Sequence, residues 1–188
     1  STMANSFVVL KSRDLKAYKW ADSGEKKLVD QIGCIYKPHV ISMRAGQKVA
    51  YKNSDDTLHN VHPTPKKNKE VNIAMPFKDK TSDIKFSREE FMIPVKCNVH
   101  PWMIGYVNAV SHPLHGVTPE GDGALTIAGI PPGTYEVEVH HELLGVTTAE
   151  VTLGDKESKD LVVEYTADAG GSSGGGTGGT TRRRRSRS

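Results

Sequence analysis

Helical periodicity is scarce in this chain, cysteine is scarcer, and no long apolar run occurs. The 188 residues hold two cysteines, Cys34 and Cys97. Two thiols exclude a disulfide-dense scaffold and leave either one disulfide or one metal-ligating thiolate beside a spare thiol. No window approaches the roughly 18 consecutive apolar residues of a membrane-spanning helix. No signal peptide is read at the start, where the polar STMANS runs straight into the strand-like FVVL. Acidic residues are missing from the last nineteen positions, GGSSGGGTGGTTRRRRSRS. These carry five of the 25 basic residues, and the remaining 20 against 22 acids leave the rest of the chain at −2. The net charge of +3 is therefore a property of the tail, and it does not assign the folded part to nucleic acid. A Gly/Ser/Thr run buries no apolar surface, so 168–188 reads as a disordered linker with an arginine-rich end. Such an end suits an acidic partner or surface, or serves only to solubilise.

What is present is a series of short β-rich runs. They are FVVLK (7–11), KLVDQIGCIY (27–36), HVISM (39–43), KVAYKN (48–53), DIKFS (83–87), FMIPVKC (91–97) and GYVNAV (105–110). After HPLHG the pattern restarts with ALTIAGI (124–130), YEVEVHHE (135–142), AEVTL (149–153) and LVVEYT (161–166). Alternation such as Tyr135-Glu136-Val137-Glu138-Val139 gives a strand with one apolar and one polar face. RAGQ, NSDD, PEGDG, PPGT and LGDKES supply turn chemistry between the runs. Regular spacing of this kind predicts a β-sandwich or barrel. Residues 64–82, rich in lysine and without a clear period, read as a long solvated connection. The expected division is a β domain over 1–112, a second over 113–167, and the tail over 168–188.

One segment concentrates chemistry. KCNVHPWMIG (96–105) places Cys97, His100 and Met103 three residues apart, at the end of a β run. A tight loop brings a thiolate, an imidazole and a thioether around one point. His59, just after the turn residues NSDDT, supplies a second imidazole. Thiolate, two imidazoles and a weak thioether select copper in a trigonal His₂Cys site with a long axial Met. Asn60 is placed to hydrogen-bond across to the Cys97 loop and orient its sulfur. The competing reading is a buried structural cysteine with histidine and methionine nearby by chance. Zinc also uses Cys and His, but closed structural zinc sites draw four Cys/His ligands and no Met. Cys34 stays open between a packed thiol on a strand, a disulfide partner of Cys97, and an extra neighbour or ligand of the metal.

The pair HNVHP (59–63) and CNVHPWM (97–103) resembles the cupredoxins, and the short Cys-x₂-His-x₂-Met loop is most similar to the amicyanin type. CIYKPHVISMRAGQKVAYKN fits the same family, so the likeness covers about 28–110. It implies a Greek-key β-sandwich with copper ligands at His59, Cys97, His100 and Met103. It also implies an apolar patch around the second histidine, here Pro101, Trp102 and Ile104, as the meeting point with a redox partner. GDGALTIAGIPPGTYEVEVHHE resembles the transthyretin-like, carboxypeptidase-regulatory type of module. The fused arrangement resembles bacterial proteins of the methylamine-utilisation type, without making methylamine the substrate system.

The expectation is an all-β electron carrier with one type 1 copper ion, periplasmic or extracellular with its leader removed. Its partners would be a donor dehydrogenase, a cytochrome c, or both, and no catalytic residue is assigned. Two rivals stand beside it. One is a copper-binding or delivery protein. The other is a copper enzyme of the nitrite reductase kind, with a second site built from His39, His62, His112, His115, His140 or His141. The lack of His-x-His pairs argues against oxidase chemistry.

Overall fold

A computed structural model of the chain describes residues 3–21 and 26–165. Branched and aromatic residues alternating with polar ones fit a pleated, half-buried surface, and the chain is extended almost throughout. The strands are β1 Phe7–Lys11, β2 Lys27–Gln31, β3 Tyr36–Lys37, β4 Val40–Arg44, β5 Lys48–Asn53, β6 His59–Pro63 and β7 Ile73–Met75. They continue with β8 Thr81–Lys85, β9 Glu90–Lys96, β10 Ile104–Val110, β11 His115–Val117, β12 Gly133–His141 and β13 Gly145–Leu153. One 3₁₀ turn, Arg13–Ala17, follows β1 with Ser12 as its N-cap. The class is all-β, as the sequence predicts. Among the described residues no helix is long and apolar enough to cross a membrane.

Two sheets form a sandwich. One has the order β4-β10-β9-β6-β7 and the other β3-β2-β5-β8. Most neighbours are antiparallel; β4 with β10 and β2 with β5 are parallel. Along β5 every second residue, Val49, Tyr51 and Asn53, points inward and is buried. Val49 and Tyr51 meet Met43, Met75, Phe86, Ile93 and Val107 in one core that also holds Cys97 and Met103. Each such side chain contributes about 1.5–3 kcal/mol on full burial.

A third sheet, β11-β1-β12-β13, is antiparallel throughout. Alternation along β1 sends its side chains two ways. Phe7 and Val9 pack with Val40 and Val110 against the sandwich. Leu10 packs with Leu15, Leu114, Tyr135, Val137 and Val139 on the far side. β1 precedes residue 112, yet β11 and β12 assemble on it.

Several local expectations differ from the structure. KLVDQIGCIY is not one strand but β2 and β3 joined by a turn, with Gly33 at φ +65° and Cys34 at φ +56°. Both central residues at positive φ are what a two-residue hairpin turn needs. Within 64–82, residues 73–75 pair with β6. ALTIAGI and 161–165 are not strands. Ile127, Ile130, Val163 and Tyr165 pack on the Leu10 cluster without ladder bonds, and Pro131 and Pro132 offer no donor for one. That cluster is thus covered by the 3₁₀ turn and these segments, and no second sheet lies over it among the described residues. The linker and arginine cluster expected at 168–188 lie outside the described residues.

Candidate metal centre

His59 opens β6 and is fully buried, while Cys97 directly follows β9 and is also buried. The Cys97 loop is closed by its own backbone. Met103 N–H donates to His100 O at 2.9 Å, and Cys97 N–H to Met103 O at 3.1 Å. This turn returns the chain into β10 and brings His100 back over Cys97. The Cys97 sulfur lies 3.9 Å from His59 Nδ1 and 3.8 Å from His100 Nδ1, and the two nitrogens are 3.0 Å apart. Met103 is buried in the core beside them in sequence.

Asn60 ties the two loops together. Its Oδ1 accepts from Asn98 N–H at 2.6 Å, and its Nδ2 donates to Asn72 Oδ1 at 2.7 Å. Tyr36, from β3, donates its hydroxyl to Asn60 O and to Lys96 O, so it clamps β6 to β9 beneath the donors. Its phenol is held well above the ordinary tyrosine range, first by burial, then by Cys97 and Tyr51. It stays a neutral hydrogen-bond donor.

A residue outside the sequence reading completes the arrangement. Asp55 Oδ2 lies 2.9 Å from His59 Nε2, and the same carboxylate accepts the amides of Gly33 and Cys34 at 2.8 and 2.9 Å. Burial opposes its ionisation. The Cys34 and Gly33 amides and the His59 imidazole outweigh that and hold the carboxyl below its usual range. The available signal was an acid four residues before His59, inside NSDD. With Nε2 engaged by a carboxylate, His59 presents Nδ1 to the centre.

Cys34 is not on a strand. It sits half-buried in the β2–β3 turn, with a ligating atom within 4.8 Å of those of His59 and His100. Both cysteines are free thiols. Among the described residues no further group of three His, Cys, Asp or Glu away from these two imidazoles offers donor atoms this close together. The remaining histidines are dispersed. His39 meets Glu142, His62 meets Glu70 and Asn98, His115 meets Ser42 and His140 meets Glu138. His62 therefore faces away from His59. Pro101 and Trp102 are exposed, and Trp102 packs its ring 5.2 Å from that of His100; Ile104 is half-buried.

The donor set, soft sulfur with two imidazoles in a mostly dry setting, fits a copper or zinc ion and suits neither calcium nor magnesium, which take oxygen ligands. No family model matches the chain, and no curated protein matches it. Solved structures resemble part of it. Amicyanin from Paracoccus versutus is 21% identical, over 55% of this chain and 97% of that one, with a TM-score of 0.41. A purple cupredoxin from Nitrosopumilus maritimus is 19% identical, over 45% of this chain and 99% of that one, with a TM-score of 0.38. A copper-containing nitrite reductase from Thermus scotoductus SA-01 is 17% identical with a TM-score of 0.39, and the match covers 50% of this chain but only 26% of the reductase.

Proposed function

We propose that this protein is an electron carrier holding one copper ion through His59, Cys97 and His100, with Met103 as a weak fourth donor. One observation carries the reading: a thiol and two imidazole nitrogens from two separate loops stand within 3.9 Å of one another. Bound copper supplies a one-electron Cu(I)/Cu(II) couple. The protein's part is to keep the donors still while the charge changes. His59 is fixed by Asp55, and the Cys97 loop by Asn60 and by its own backbone bonds. Ligands that do not move keep reorganisation small.

His100 is the more open of the two imidazoles, and Trp102 beside it is two-thirds exposed. Pro101, Trp102 and Ile104 form the face through which a redox partner approaches. A dehydrogenase donor or a cytochrome c acceptor fits, because electron-transfer contacts are small. A periplasmic or extracellular setting follows from this partnership. The β11-β1-β12-β13 sheet, whose β12 lies in the stretch that resembles a transthyretin-like module, serves as a docking or anchoring module without chemistry of its own.

The test is optical and electron paramagnetic resonance spectroscopy of protein loaded with Cu(II), with metal stoichiometry. One copper per chain and an intense visible thiolate-to-copper band are expected, and Cys97→Ala should abolish that band. A wild-type spectrum without it would overturn the reading, and two coppers per chain would favour an enzyme.

A further inference from the structure

We infer that Cys34 is a ligand of the same centre, so that the ion is held by two thiolates, Cys34 and Cys97, and by the imidazoles of His59 and His100. This rests on the metal reading above and puts Cys34 in the place of Met103 as the fourth donor. The geometry is that of two triads sharing one pair of imidazoles. Cys34, His59 and His100 offer ligating atoms that all lie within 4.8 Å of one another, and the Cys97 sulfur lies within 3.9 Å of the same two rings. Both sulfurs are free thiols.

The backbone at Cys34 points the same way. Cys34 occupies the second central position of the β2–β3 turn at φ +56°, where an L-residue other than Asn or Asp carries a cost of about 1–2 kcal/mol. Glycine would fit without that cost. A cysteine there, beside two imidazoles, is local strain coinciding with a cluster of donors. The strained turn is also braced. The Asp55 carboxylate takes the amides of Gly33 and Cys34 and at the same time engages His59 Nε2. One side chain therefore fixes two donors that come from different strand ends, and sets the Cys34 turn at the rim of the centre.

The chemistry differs from that of a single-thiolate site. Two neutral imidazoles and one thiolate leave a divalent ion with a net charge of +1, and a second thiolate cancels it. A tetrahedral S₂N₂ set also accepts Zn(II) and Co(II) without distortion.

Co(II) is the probe, because each cobalt–thiolate bond adds near-ultraviolet charge-transfer intensity. Cys34→Gly suits the left-handed turn, so the variant folds. Its Co(II) band should fall to about half that of the wild type, one of two thiolates being lost. In wild-type protein, Co(II) should shield both thiols from iodoacetamide, as read by peptide mass. An unchanged band in Cys34→Gly overturns the inference, as does Cys34 alkylated equally fast with and without Co(II). If the variant keeps the full band while Cys97→Ala loses its Cu(II) band, only the second thiolate fails. If the wild type shows no thiolate band with either metal, both readings fall.

Discussion

The Asp55 carboxylate touches three groups at once, the amides of Gly33 and Cys34 and the ring of His59. None of these contacts reaches across the molecule, yet together they set one imidazole and one turn. Asp55→Asn keeps the size of the side chain, removes its charge and leaves one oxygen to serve three donors. Outer-shell partners of metal-bound histidines typically govern 10–100-fold in affinity. The expected outcome for Asp55→Asn is copper bound at one per chain with affinity lower by about 10–100-fold, measured by competition with a Cu(I) chelator. Unchanged affinity would mean that His59 is held by its burial alone. Sequence reasoning singled out Cys97, His59 and His100, which the structure brings together, because donor chemistry shows in residue type and spacing. It did not reach Asp55, because an aspartate in NSDD reads equally well as a turn residue. It put Cys34 on a strand, although Gly33 inside an apolar run is a signal for a bend.

Strands carry these residues to the site, and β10 has little room at Gly105. Gly105, its second residue, has the His39 carbonyl oxygen 3.0 Å and Tyr36 Cβ 3.2 Å from where a side chain would begin. Neither neighbour yields easily, since one is backbone and the other belongs to the tyrosine that clamps β6 to β9. Gly105→Ala should cost about 1–3 kcal/mol of stability, as overpacking does. The check is a denaturant titration in which the midpoint falls and the slope is unchanged. The runs that became β1, β5, β9, β10 and β12 were legible because alternation or a dense apolar run survives in each. ALTIAGI was not, and the reason is physical. Its apolar positions report burial, and Ile127 and Ile130 are packed on the Leu10 cluster, but burial does not require a ladder partner. The pairing of β1 with β11 and β12 was likewise invisible, because it joins residues more than a hundred positions apart and leaves no local pattern.

In the whole molecule, the sandwich and the third sheet share a seam, and the seam is where acid should act. Phe7 and Val9 of β1 meet Val40 and Val110 there, and β11 lays His115 against Ser42 of β4 at 2.9 Å. His115 titrates at about 4, held down first by burial and then by His112, Arg44 and Lys27. Burial also lowers His112. An unfolded chain takes up a proton on each imidazole near pH 6.5, whereas the folded His115 refuses it until about pH 4. Between these values the unfolded state binds more protons, so acid favours unfolding. The stabilisation is complete above pH 6.5 and is lost as pH falls towards 4, on the order of 3 kcal/mol for His115. Glu138 adds to this at lower pH. Its bonds to His140 and Lys11 outweigh burial and depress its carboxyl, so its contribution is lost as pH drops through the carboxylate range. Thermal or denaturant unfolding of the metal-free protein at pH 7, 5.5 and 4 should show stability falling at each step. His115→Gln, which does not titrate, should flatten the slope between pH 6.5 and 4, leaving the remainder to His112 and, at the acid end, to Glu138. An equal slope in wild type and variant would move the acid-sensitive group elsewhere.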